Sequence, residues 1–102
     1  YALTKVNTNV YAYKEKVMKK YIAVFQSRTG VLSFIDELRK YGVYAIAVQT
    51  PKETKTGCGI SAEFSVRGIP VARTLIQTGL FPSFYGFYQV EKRGKFLSIT
   101  RF

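Results

Sequence analysis

From residue 21 onward, hydrophobic and polar positions fall into short blocks that switch between the period of a strand and the period of a helix. Tyr21-Ile22-Ala23-Val24-Phe25 is a nearly continuous apolar run of strand-forming residues, which suits a central strand covered on at least one face. Ser27 is placed to cap a helix. In that helix Val31, Leu32, Phe34, Ile35, Leu38 and Tyr41 recur at three- and four-residue spacing, Arg39 and Lys40 occupy the last turn, and Gly42 supplies the stop. Residues 43–48 are again β-branched and aromatic, and Pro51 ends that strand because it has no N–H to donate to a ladder. Residues 60–66 alternate apolar and polar with period two. A short second helix starts at Pro70, carries Val71, Ala72, Leu75 and Ile76 on one side, and ends before Gly79. Residues 84–90 form an aromatic strand. Lys92-Arg93-Gly94-Lys95 then has the glycine of a tight turn, from which residues 96–99 pair back as an additional strand.

The element order predicts an α+β fold: a ferredoxin-like βαββαβ arrangement, the split βαβ sandwich, with an additional C-terminal strand and both helices on one face of an antiparallel sheet. Phe84-Tyr85-Gly86-Phe87-Tyr88 is expected to place alternate aromatics in the core and at an interface, which fits a homodimer through the sheet. The first seventeen residues carry no strong cap or turn, and Met18-Lys19-Lys20 reads as a natural start. Residues 1–17 are therefore expected to be an N-terminal extension or remnant, and residues 18–102 a single domain.

Composition narrows the class. With 47% hydrophobic and 16% aromatic residues among 102, the chain is globular and not disordered. Sixteen Lys and Arg against six Asp and Glu give +10, which calls for an anionic partner, either an acidic protein or a nucleic acid. The cations cluster only within residues 14–20 and 92–95, and no Lys/Arg-Gly-aromatic run of an RNA-recognition sheet accompanies them, so no motif supports nucleic acid. No apolar run approaches the ~18 to 20 residues that cross a bilayer, and the N-terminus lacks the succession of a signal peptide, so the expected location is cytoplasmic, away from membranes. Histidine is absent. That removes Cys/His and Ser/His/Asp catalysis and the ordinary zinc sites; neither a metal nor an organic cofactor is expected.

One cysteine, Cys58, stands between Gly57 and Gly59. The flanking glycines open positive φ and let another molecule approach closely, while Thr50, Pro51, Lys52 and Lys55 precede them and the two lysines are the nearest cations. Cys58 is therefore a candidate nucleophile or sulfur-bearing atom, and the Gly57 to Ile60 backbone could add amides if the loop curls into a nest. The plainer reading of a lone cysteine is a small hydrophobe that fills space. Ser27-Arg28-Thr29-Gly30 likewise has two readings, an anion site on Ser27, Thr29 and Gly30 or a simple helix cap. Three functions stay open at the level of residues. The first is a reactive thiol that acts as a nucleophile or sulfur-bearing atom; the second is a non-enzymatic binding or regulatory module whose basic surface engages an acidic protein or nucleic acid. The third, a thiol enzyme, has no histidine as base and no evident pair among Asp36, Glu37, Glu53, Glu63 and Glu91.

An opening strand into Phe25-Gln26-Ser27, a helix, a second strand ending in Thr50-Pro51-Lys52, a short spacer and then Cys58-Gly59-Ile60 before the next strand resembles the small bacterial domain family called "putative selenium/sulfur carrier protein-like". The similarity covers residues 20–90. Lys52 stands where the family commonly has arginine, which keeps the charge and loses the bidentate guanidinium fork. The resemblance implies that Cys58 carries sulfur or selenium, as a persulfide or selenosulfide, between a donor protein and an acceptor protein. It implies a carrier and not a complete catalyst.

Overall fold

A computed structural model describes residues 17–102 of the chain. Its elements are β1 (Val17–Phe25), α1 (Arg28–Lys40), β2 (Ala45–Gln49), β3 (Ile60–Phe64), α2 (Ile69–Gln77), β4 (Phe84–Arg93) and β5 (Phe96–Arg101), with short 3₁₀ turns at Lys52–Thr54 and Val66–Gly68. The fold is α+β, with five antiparallel strands in the order β2-β3-β1-β4-β5 and two helices. The expected extension, residues 1–17, lies outside the described residues except for Val17, which opens β1 and pairs with Arg93.

Local chemistry explains where the observed boundaries depart from the expected ones. Residues 43 and 44 do not join β2, because the Val43 amide turns back to the Leu38 carbonyl at 3.0 Å and Gly42, at φ +77°, closes the end of α1. Residues 65 and 66 leave β3 for the 3₁₀ turn, where the Gly68 amide donates to Ser65 at 2.9 Å. Pro70 sits one residue inside α2, still within the first turn, where its missing N–H costs nothing. β4 and β5 run on past residues 90 and 99, so the turn contracts to Gly94-Lys95. The aromatic alternation of β4 is broken as well. Val24 pairs with Gly86 and Phe25 with Phe84, which leaves Tyr85 as the extra residue of a bulge and turns both Phe84 and Phe87 toward the helices.

Both helices cover the same face of the sheet. Val31, Phe34, Ile35 and Leu38 of α1 and Ala72 and Leu75 of α2 are buried with Ala23, Phe25, Ala45, Ala62, Phe64 and Phe87 of the strands. The opposite face carries a second, smaller cluster, Ile22, Val24 and Tyr88, flanked by Val48, Val90 and Ile99. Beyond the Tyr21–Phe64 pair the sheet narrows to β1, β4 and β5. At the end of this ribbon the Arg93 guanidinium donates to Glu91 across 2.8 Å and holds its carboxyl below the ordinary glutamate range. A lowered carboxyl pKa supports folding above the ordinary value, and that support is lost as pH falls through the lowered one. In an NMR titration Glu91 should therefore protonate at lower pH than an isolated surface glutamate and return toward it in Arg93→Ala. An unchanged midpoint in that variant would show that the pair does not form.

Candidate functional site

The loop between β2 and β3 is tied down at both ends and in its middle. At its base the Thr50 amide donates to the Gly59 carbonyl at 2.9 Å, and the Thr50 and Ser61 hydroxyls share a 2.6 Å hydrogen bond. Ser61 is fully buried, so this hydroxyl pair satisfies a group that could not face water. Pro51 leads into the 3₁₀ turn, which the Thr54 hydroxyl staples by donating to the carbonyls of Pro51 and Thr56 at 2.9 and 3.2 Å. Lys55 ends the turn at φ +57°. The distal part then folds against the end of β1: the Cys58 amide donates to the Phe25 carbonyl at 3.1 Å, and the Gln26 side chain donates to Thr56 at 3.3 Å.

Glycine is required at residue 57 for two separate reasons. Its φ is +100°, where L side chains are strained, and a Cβ there would lie 2.8 Å from Cγ1 of Val24, which is fully buried. The backbone can thus lie flat on β1 only without a side chain. Gly59 shares the positive φ, +99°, but a Cβ there meets nothing within 4 Å. Between them Cys58 is half-buried. Its side chain packs against the helix-side core, and the thiol donates to the Ile60 carbonyl at 3.4 Å. The sulfur sits in a loop fixed by main-chain hydrogen bonds, and it is neither sealed in the core nor fully in water.

The sequence-derived site residues separate into two groups. Thr50, Gly57, Cys58 and Gly59 are brought together with the end of β1, while Lys52 and Lys55 are exposed on the outer turn and form no ion pair with another described residue. Of the amides expected to form a nest, that of Cys58 is spent on Phe25. On the same side of the sheet Ser27 caps α1: its hydroxyl accepts from the Gly30 amide at 3.1 Å and donates to Ser83 at 2.9 Å, while Thr29 is exposed. A Cβ on Gly30 would collide with the Ser83 hydroxyl, so close packing of Ser83 selects glycine there. Phe25, Gln26, Val24 and Ser61 position the loop and were not found from the sequence. Gln26 and Thr56 are 30 residues apart, and no local pattern signals a contact at that separation. Among the described residues no three of His, Cys, Asp and Glu gather as a metal site, and no helix is long and apolar enough to cross a membrane.

No curated protein and no solved structure matches the chain. A family model does, over residues 20–83, which takes in β1 from Lys20 onward, α1, β2, the cysteine loop, β3 and α2 and stops short of β4 and β5. That match spans well over half of the sequence, and the chain belongs to the family described as "Putative Se/S carrier protein-like".

Proposed function

We propose that Cys58 carries a sulfur or selenium atom between a donor protein and an acceptor protein. The observation that carries this reading is the setting of the chain's one cysteine: a half-buried thiol on a glycine-flanked loop, locked to β1 through the Cys58–Phe25 hydrogen bond, within the segment that matches the carrier family. In the loading step the Cys58 thiolate attacks the terminal sulfur of a donor persulfide; the new Cys58 S–S bond forms as the donor's S–S bond breaks, and the donor leaves as thiolate. Unloading repeats the exchange with an acceptor thiolate attacking the terminal sulfur. No net oxidation occurs in either step. The chain has no second cysteine, so no resolving thiol of its own can expel the cargo as sulfide by closing an internal disulfide. Lys52 and Lys55 contribute positive charge on the rim of the loop, where a partner would meet it, and the cargo's anion favours such surroundings. This reading places the chain in the reducing cytoplasm and treats it as a carrier and not a catalyst.

The ferredoxin-like assignment belongs to the same proposal. It is supported by β3 lying between β1 and β2, the strands joined by α1, and by β1 lying between β3 and β4, the strands joined by α2, with β5 added outside.

The test is intact mass after incubation with a persulfide-loaded cysteine desulfurase and free cysteine, followed by removal of the desulfurase. The wild-type chain is expected to gain the mass of one sulfur, reversibly by dithiothreitol, and Cys58→Ser to gain none. A wild-type chain that stays unmodified under a donor that loads other acceptors would overturn the proposal.

A further inference from the structure

We infer that the outer edge of β5 is a docking site for an extended, acidic segment of a partner protein, which adds to the sheet as a further strand. β5 is an edge strand of six residues without proline, its register on β4 is unbroken, and no described strand pairs with its outer side. The Phe102 amide donates to the Phe87 carbonyl at 3.0 Å, so by the alternation of an antiparallel ladder residues 96, 98, 100 and 102 turn their backbone groups toward β4. Leu97, Ile99 and Arg101 turn theirs outward. The edge therefore presents both donors and acceptors in strand register.

Side chains on the two faces specify what would sit there. On the face away from the helices, an incoming strand would run beside Leu97, Ile99 and Arg101, with Lys92 behind Leu97 in the ladder. The Arg101 guanidinium is held in place: it lies over the rings of Tyr85 and Tyr88 at 5.1 and 5.9 Å, donates to the Tyr85 carbonyl at 2.7 Å, and passes so close to Gly86 that a Cβ there would crowd it. On the other face the strand would run beside Phe96, 80% exposed, and Phe102, which stacks on Phe87 with Arg73 above it. The complementary segment alternates, with carboxylates toward Lys92 and Arg101 and apolar side chains toward Phe96 and Phe102. The charge argues against a second copy of this chain, because two β5 edges side by side would bring together two sets of Lys92, Lys95 and Arg101 on a protein already at +10. A nucleic-acid backbone fits less well than a peptide. Its phosphates accept only, so they could pair with the outward N–H groups but with none of the outward carbonyls of Leu97, Ile99 and Arg101. β5 lies beyond the segment matched by the family, and the inference stands independently of Cys58.

The experiment is fluorescence anisotropy with a short labelled peptide alternating valine and glutamate, the same peptide N-methylated at alternate amides, and a single-stranded oligonucleotide as competitor. The unmodified peptide is expected to bind about tenfold or more tightly than the N-methylated one, to weaken by a similar factor in Lys92→Glu/Lys95→Glu, and to bind unchanged to Cys58→Ser. Ile99→Pro removes an outward N–H without touching the β4 ladder and should abolish binding; if it fails to fold, the N-methylated peptide makes the same test on the wild-type protein. Equal binding of both peptides, or an oligonucleotide that binds more tightly than the peptide, would overturn the inference. So would a concentration-dependent dimer in sedimentation that Lys92→Glu/Lys95→Glu strengthens and the peptide does not dissociate.

Discussion

Phe34→Ala is expected to lower the unfolding free energy by about 3 to 5 kcal/mol, the range of large-to-small substitutions in a packed core. Phe34 is fully buried and sits at the centre of a ring cluster, 5.1 Å from Phe25 and 5.2 Å from Phe81 between centroids, with Phe81 meeting it edge to face. Its loss removes the transfer free energy of the ring and leaves a cavity. The space is bounded by β1, by α1 and by the segment before β4, and the main-chain bond from Gln26 to Ser83 at 2.7 Å ties the end of β1 to that segment and limits how far the two can close in. Phe96→Ala is the control. That ring is 80% exposed, and its removal should stay within about 0.5 kcal/mol of wild type. Urea unfolding of the two variants decides the matter, and equal midpoints would mean that the Phe25–Phe34–Phe81 cluster does not hold α1 to the sheet.

Gly57→Ala is expected to destabilise the cysteine loop by more than Gly59→Ala does. Both positions have φ near +100°, so each variant pays a backbone strain of about 1 to 3 kcal/mol. Only residue 57 adds a collision, since its Cβ would lie 2.8 Å from Cγ1 of a buried, strand-centred Val24, whereas residue 59 has free space. The loop can relieve that overlap by lifting off β1, which breaks the Cys58–Phe25 hydrogen bond. Amide hydrogen exchange at Cys58 should then accelerate in Gly57→Ala and change little in Gly59→Ala. Measured against Val24→Ala alone, which carries its own cost of a truncated buried side chain, adding Gly57→Ala should lose only the part due to φ, because the collision is gone. Protection of the Cys58 amide that survives Gly57→Ala would show that the loop is not held by this contact.

Much of the fold is written in local patterns. The spaced residues Val31, Phe34, Ile35 and Leu38 of α1, its Ser27 cap and its Gly42 stop are legible because helix period and end chemistry are set by neighbours within about four residues. The period-two alternation of β3 holds for Ile60, Ala62 and Phe64, which face the helix-side core, but the opposite face does not meet water at Ser61, which is fully buried. The aromatic run of β4 misleads: a bulge at Tyr85 is decided by how β4 meets β1, so a strict alternation is the wrong expectation there. At the site, the cysteine and its glycines stand out in the sequence, but their anchors do not. Which carbonyl receives the Cys58 amide depends on the loop returning across the sheet to Phe25, and the reason for glycine at residue 57 is a side chain on another strand.

The sequence by itself determined the α+β class, the positions of both helices, the basic character of the chain and the singling out of Cys58, because periodicity, capping and residue chemistry act over a few neighbouring residues. Tertiary structure alone decided that the Cys58 loop is pinned to the end of β1, that Lys52 and Lys55 stay on its outer rim, and that β5 ends the sheet with a basic, half-apolar edge. Those features depend on strand order and on contacts between residues far apart in the chain, for which a linear pattern carries no signal.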